Sequence, residues 1–354
     1  MHALCFCLPT NYSEFAVNTV VADLDRVCHI GYVNFFPVLL AMNVVSNTVN
    51  AVVLIRVQLK HSPTPSRLYL FWLAVTHCLT CIPVLVGASV RNRTNLPRGW
   101  AFYFAHIEVP LYNSLNCTCV FIIVGLSLDR YMAMIDLHKY SSLKEFRNVP
   151  RRIIFAYVCP LIIYTPMCFV HEPELNESGI DWRISDDDSP LFSNKWFKTW
   201  AVISQFLHRL IPACLLTLIN VRLLLALKKV SEKRSQMHKR SISRSRRDGQ
   251  LVHILFALTI IFIITSVPSG VLYIIYVVTD KACEINPSGE IVRIVGNCLE
   301  MAGYSCDFFL YFLINREYRM ELRLIYKAIT KPFSAGSAHI NTGNLESNTG
   351  TNEH

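Results

Sequence analysis

"LVHILFALTIIFIITSVPSGVLYIIYVV" runs from Leu251 to Val278 without one Asp, Glu, Lys or Arg. A helix rises about 1.5 Å per residue, so such a run outlasts a hydrocarbon core about 30 Å thick. Its apolar residues do not alternate, which argues against a barrel strand. In lipid the backbone must satisfy its own hydrogen bonds, and a single non-alternating segment does so only as a helix.

Working outward, the same reading finds six more spans, giving 34–57, 68–90, 104–128, 152–170, 198–226, 251–278 and 291–314. The last is the weakest, with Arg293, Glu300 and Asp307 inside it. The composition agrees: 52% of residues are hydrophobic and only 17% are charged, too apolar for an average soluble domain. The expected fold class is an all-α membrane protein, a seven-transmembrane helix bundle. The start "MHALCFCLPTNYSEF" lacks a basic leader, and Pro9 and Asn11 interrupt its apolar run, so no signal peptide is expected.

Charge sets the orientation. Lys228 to Arg247 holds nine Lys or Arg against one acid, Glu232, and segments 139–152 and 316–331 are also basic. The positive-inside rule puts these in the cytoplasm, with the N-terminus outside and the C-terminus cytoplasmic. Sequons at Asn11, Asn92 and Asn176 then fall on the glycosylated side, whereas "NCT" at Asn116 lies inside a span. The expected domains are an extracellular tail 1–33, the bundle 34–314, an amphipathic cytoplasmic helix 315–327 and a disordered tail 328–354. The net charge of +9 sits mostly in cytoplasmic loops, where it suits anionic lipid rather than nucleic acid.

At the inner end of the third span stands "VGLSLDRYMAMIDLHKY", with Asp129-Arg130-Tyr131 where the apolar run stops. Asn47, Pro212, Phe262, Pro268 and "DFFLY" (Asp307 to Tyr311) occupy matching places in other spans. With these residues the chain resembles the rhodopsin-like family of G-protein-coupled receptors over about residues 34–326. "LNCTCVFIIVGLSLDRY" after Pro110, "YTPMCFVHE" closing the fourth span and Asn220 eight residues after Pro212 loosely resemble invertebrate FMRFamide-type neuropeptide receptors. The resemblance implies a switch and G-protein surface at Asp129, Arg130, Tyr131, Asp248, Asn220 and Tyr311. Arg130 would pair with Asp129 and with Asp248 until a ligand biases the sixth helix outward. "NREYRMELRLI" reads as the amphipathic helix, with Tyr318, Leu322 and Ile325 in the interface and Arg316, Arg319 and Arg323 toward headgroups. The plasma membrane is the expected location. Heterotrimeric G protein, receptor kinases and arrestin are the expected inner partners, the last two through Thr342, Ser347 and Thr349.

The family pattern breaks in several places. Residues 82–116 and 169–213 contain no Cys, so the family's disulfide from helix three to the second outer loop cannot form in its usual place. A Cys28–Cys283 bridge is one alternative. Ser266 stands where the sixth helix usually carries Trp, two residues before Pro268, and Tyr157 takes the place of the fourth-helix Trp. Signalling without that indole would run through Phe262 and Val120, or the receptor is atypical.

Ligand chemistry follows partly by exclusion. Met301 replaces the opsin lysine and Tyr112 the aspartate of amine receptors. The loop 171–190 carries seven acids and one base, Arg183, which would attract a cationic ligand. A small basic or amidated peptide is therefore the expected ligand, with a non-peptide ligand as the alternative. Candidate contacts are Glu108, Tyr112, Asn113, Asn116, His208, Arg209, Tyr273, Asn297 and Glu300. Asn297, Glu300, Tyr304, Asp307 and Tyr311 recur at steps of three and four, one face of a helix. Such a stripe either binds ligand or joins helices. No HExxH, GxSxG or P-loop occurs, so an enzyme is not expected, and no cofactor is implied. Intramembrane His, Glu and Asp would also suit a proton-coupled transporter, but no inverted repeat accompanies them.

A polar centre is expected from Asn47, His77, Cys119 and Asp307. His77 stands where the family usually holds a sodium-binding aspartate, with Cys119 at the family's helix-three serine. A His77–Asp307 pair with weak sodium response is expected there. The three are also zinc-ligand types, but no metal site is expected, because nothing fixes a fourth or open position.

Overall fold

The computed structural model describes residues 26, 29–60, 64–90, 97–135, 142–175, 182–184, 194–234, 242–278 and 287–335. Seven long helices form the bundle. α1 is Phe36–Lys60, entered through a π-helical turn His29–Phe35, and α2 is Pro65–Val90. α3 runs continuously through Arg98–Tyr103, a π turn Phe104–Glu108 and Val109–Ile135. α4 is Ser142–Tyr164, closed by a 3-10 turn Thr165–Phe169, and leads to a two-stranded hairpin, β1 Pro173–Leu175 with β2 Trp182–Ile184. α5 combines Lys195–Gln205, a π turn Phe206–Leu210 and Ile211–Arg234. α6 is Ile242–Val278, α7 is Pro287–Ile314, and α8 is Arg316–Ala335, which runs past the expected end at 327.

Each π turn has the same local cause. Pro37, Pro110 and Pro212 each stand two residues beyond the turn's last residue. A proline ring collides with the carbonyl four residues back and supplies no N–H. Those carbonyls belong to residues 33, 106 and 208, all inside the π turns. Widening the turn relieves the collision and re-aims the side chains in it.

Neighbouring helices close a ring. α1 packs on α2, α2 on α3, α3 on α4 and α5, α5 on α6, α6 on α7, and α7 returns to α1. α3 is the centre: 61% of its apolar window is buried, against 22% for α4 at the rim. The main core joins Leu73, Ile122, Leu126, Leu216, Leu223, Ile254 and Leu255, while Phe155, Ile162, Leu218 and Ile264 face outward as lipid-facing residues must. Val120 and Phe262 both belong to this core.

Among the described residues, six helices are long and apolar enough to cross a membrane. α7 is the seventh, and its polar stripe turns inward: Glu300, Tyr304, Asp307 and Tyr311 are all buried.

Candidate functional site

Two buried polar layers cross the bundle. The first joins α3, α5, α6 and α7. Asn116 donates to Glu300 Oε1 at 2.7 Å, and Ser266 Oγ donates to the same oxygen at 3.2 Å. Arg209 Nη2 lies 3.8 Å from it, and Arg209 Nη1 donates to the Ser266 carbonyl at 3.2 Å. Helix neighbours ordinarily point about 100° apart, yet both His208 and Arg209 are buried, because both lie in the π turn before Pro212. His208 Nδ1 meets the Tyr164 hydroxyl at 2.6 Å. Tyr112, Tyr273 and Tyr304 lie within electrostatic reach of Arg209, the first and last also of Glu300.

Of the remaining ligand candidates, Asn113 donates to the Val109 carbonyl at 3.0 Å and approaches Met167 Sδ at 3.7 Å. Glu108 is buried and lies against Gly87 of α2, where a Cβ would meet its carboxylate. Asn297 is half-buried on the face of α7 that Glu300 continues.

The second layer lies one to two turns deeper. His77 Nδ1 and Asp307 Oδ2 approach to 3.3 Å without an aligned hydrogen bond, and the His77 ring stacks on Tyr304 at 4.6 Å. Cys119 is buried within electrostatic reach of Asp307. Asn47 donates to the Tyr304 carbonyl at 3.0 Å and also to Asn43. Asn43 reaches the His77 carbonyl, Cys81 Sγ and Met301 Sδ. Asn50 donates to Asn47 Oδ1 at 3.4 Å and accepts from Tyr318 of α8. Among the described residues no group of three or more His, Cys, Asp or Glu is placed to hold a metal ion.

At the far end of α3, Arg130 donates to Asp129 Oδ2 through Nε at 3.1 Å and Nη2 at 2.6 Å. Arg152 of α4 lies 3.9 Å from the other Asp129 oxygen. Tyr131 is half-buried against the core. Asn220 donates to Thr259 at 2.6 Å, joining α5 to α6, and Tyr311 is buried beside Tyr318 with ring centres 5.9 Å apart. Asp248 lies on α6, but its side chain is outside the described residues, as are Asn11, Asn92, Asn176, Cys28, Cys283 and the tail beyond Ala335.

At the opposite end, Arg98 stands over the Trp182 ring at 5.2 Å, joining the hairpin to the start of α3. His106 Nδ1 meets the Cys168 carbonyl at 2.6 Å, a second link from α3 to the segment after α4. Tyr157 hydrogen-bonds Thr76 at 2.7 Å and packs edge-on to Trp72. A cavity of about 450 Å³ between the π turn His29–Phe35 and α7 is lined only by small and apolar residues, Ile30, Phe35 and Leu299 among them, and none of the polar-layer side chains lines it.

Sequence reasoning passed over Asn43, Asn50 and Gly270. The signal for the first two was present: Asn43, Asn47 and Asn50 recur at steps of four and three on one face. Gly270 carried no signal of its own, because only packing reveals what crosses it.

Residues 47–308 match the profile of the family described as 7 transmembrane receptor (rhodopsin family). A probable G-protein coupled receptor of Caenorhabditis elegans is 23% identical over 303 residues, covering 83% of this chain and 68% of that protein. A second from the same organism is 23% identical over 343 residues, covering 89% and 80%. Galanin receptor type 1 of Rattus norvegicus is 22% identical over 306 residues, covering 84% of each chain.

Proposed function

Because the chain belongs to the rhodopsin family of seven-transmembrane receptors, we propose that this multi-pass receptor sits in the plasma membrane, N-terminus outside, and reports a small peptide to a heterotrimeric G protein. The ligand enters at the hairpin end. The observation that carries this reading is the polar layer of Arg209, Glu300, Asn116 and Ser266 lying where the ligand would end. A peptide presents donors and acceptors to such a floor. Retinal and amines meet Met301 and Tyr112 instead of the groups they need. The acid-rich loop 171–190 adds attraction for a ligand with basic residues. One relative, galanin receptor type 1, is a peptide receptor by name.

On the cytoplasmic side, the Arg130–Asp129 pair holds the resting state. Breaking a second pair, Arg130 with Asp248 at the base of α6, would let α6 move outward and open the surface formed with loops 132–150 and 227–248. Arrestin and receptor kinases are further proposed partners of the C-terminal tail.

The test is ligand-dependent G-protein activation in cells expressing the full chain, with peptide, amine and lipid libraries in parallel. A peptide hit supports the reading. Response to amines or lipids alone replaces it with the non-peptide alternative. Substrate uptake without G-protein activation would favour a transporter.

A further inference from the structure

Arg209 is held in an uncommon way. Its stem lies across α6 at Gly270, where an added Cβ would sit 2.7 Å from Arg209 Cδ and 3.4 Å from its Cβ. Only a residue without a side chain lets the arginine pass. Beyond that crossing the guanidinium reaches the Ser266 carbonyl and the Glu300 carboxylate. Ser266 and Gly270 flank Pro268, so Arg209 bridges the helix around its proline and fastens it to α5 and α7. The family's bulky indole is replaced here by a serine under a charged strap.

That strap is incompletely satisfied. A guanidinium has five N–H donors in a fixed fork. Here Nη1 has one carbonyl, Nη2 has a carboxylate at 3.8 Å, and Nε is buried with no acceptor. The Arg209 side chain is only 10% exposed, so water does not easily make up the deficit. His208 Nε2, on the same turn, is also buried without a partner. The Glu300 Oε1 oxygen, by contrast, already takes Asn116 and Ser266. Arg209 Nε is thus a buried donor in need of an acceptor, which neither Ser266 nor Glu300 supplies. A second carboxylate would set two negative charges against one guanidinium, whereas a neutral carbonyl adds an acceptor without that repulsion.

We propose that Arg209 is the deepest ligand subsite and takes the carbonyl oxygen of a terminal carboxamide, whose arrival draws the guanidinium from Ser266 and Glu300 and frees α6 at Pro268. The proposal rests on the peptide-receptor reading but is tested apart from it. N-acetyl-phenylalaninamide is the probe and N-acetyl-phenylalanine its acid control, with thermal unfolding of the purified full chain as the readout. The amide raises the midpoint of the wild type, the acid raises it less, and R209Q abolishes the shift. R209K, which keeps charge without the fork, serves the same purpose if R209Q does not fold. The strap is tested by basal G-protein activation at matched surface expression. G270A, which displaces the stem while keeping every charge, raises it roughly fivefold, as does E300Q, the low end of ordinary coupling energies. No amide shift in the wild type, an acid shift larger than the amide shift, or basal activity unchanged in both G270A and E300Q overturns the proposal. A peptide agonist equally potent on R209Q overturns the subsite and leaves the peptide reading intact. An Arg209-dependent amide shift in a chain that answers no peptide does the reverse.

Discussion

The Tyr318 hydroxyl of α8 donates to Asn50 Oδ1 of α1 at 2.7 Å, with both side chains buried. This closes a ladder from α7 to α8, since Asn50 bonds Asn47 and Asn47 bonds the Tyr304 carbonyl. Burial pushes the Tyr318 phenol up, so it remains a donor through the working pH range. The sign is that of a raised pKa: the contribution is whole below the ordinary phenol value of about 10 and fades as pH climbs past it. Y318F leaves the Asn50 oxygen buried and unpaired, a loss of about 1–3 kcal/mol. Y318F with N50V removes both partners and recovers most of that loss. Thermal unfolding of the two single variants and the double variant checks the cycle, and strictly additive losses would show that the bond contributes nothing.

His77 and Asp307 make the second prediction. One carboxylate, one imidazole and a thiol are a poor cage for a hard cation that prefers several oxygens. Replacing N-methylglucamine chloride by sodium chloride at equal ionic strength should leave the wild-type unfolding midpoint unchanged. H77D places two carboxylates together, a repulsion that a bound cation relieves. Its midpoint should rise with sodium, and equal responses in the two proteins would refute this account of the layer.

The spans were legible because lipid imposes both helix and length, so hydropathy is nearly a structural rule there. α7 was legible only as a weak span, because the residues that make the polar layers, Glu300 and Asp307, are the ones that lower its hydropathy. The depth of Asn116, His208 and Arg209 could likewise be read from their places in apolar runs. Their pairing could not. Asn116 meets Glu300 across 184 residues and Tyr318 meets Asn50 across 268, and no local pattern encodes which face meets which. The π turns were hidden for a different reason: Pro37, Pro110 and Pro212 lie inside the expected spans, and hydropathy carries no sign of how the helix before each one widens to absorb it.

α8 is clipped to the bundle by Lys60–Glu321 at 2.7 Å and Arg67–Glu317 at 2.8 Å. The first pair is lopsided, with the Lys60 side chain 51% exposed and that of Glu321 only 6%. Removing the two partners should therefore cost unequal amounts. K60M strands a buried carboxylate that loses both of its ammonium contacts, worth about 1–3 kcal/mol. E321Q leaves an exposed ammonium that water can serve, within about 1 kcal/mol of wild type. Equal midpoint losses for K60M and E321Q in thermal unfolding would show that burial of Glu321 does not govern the clip.

The hairpin after α4 supplies the last prediction. With no Cys between residues 169 and 213, it has no disulfide of its own, and Arg98 over Trp182 is a contact that ties it to α3. A partly exposed cation–π contact contributes about 0.5–1 kcal/mol, far less than a covalent bridge. The hairpin should therefore open locally, well below the free energy of global unfolding. Hydrogen exchange at the amides of Glu174 and Leu175 should be faster than in the bundle and should accelerate a few-fold in W182A. Dithiothreitol should leave exchange there unchanged. Acceleration by dithiothreitol to the W182A level would mean that a cysteine pair elsewhere holds this end of the receptor shut, and that Arg98 and Trp182 only follow it.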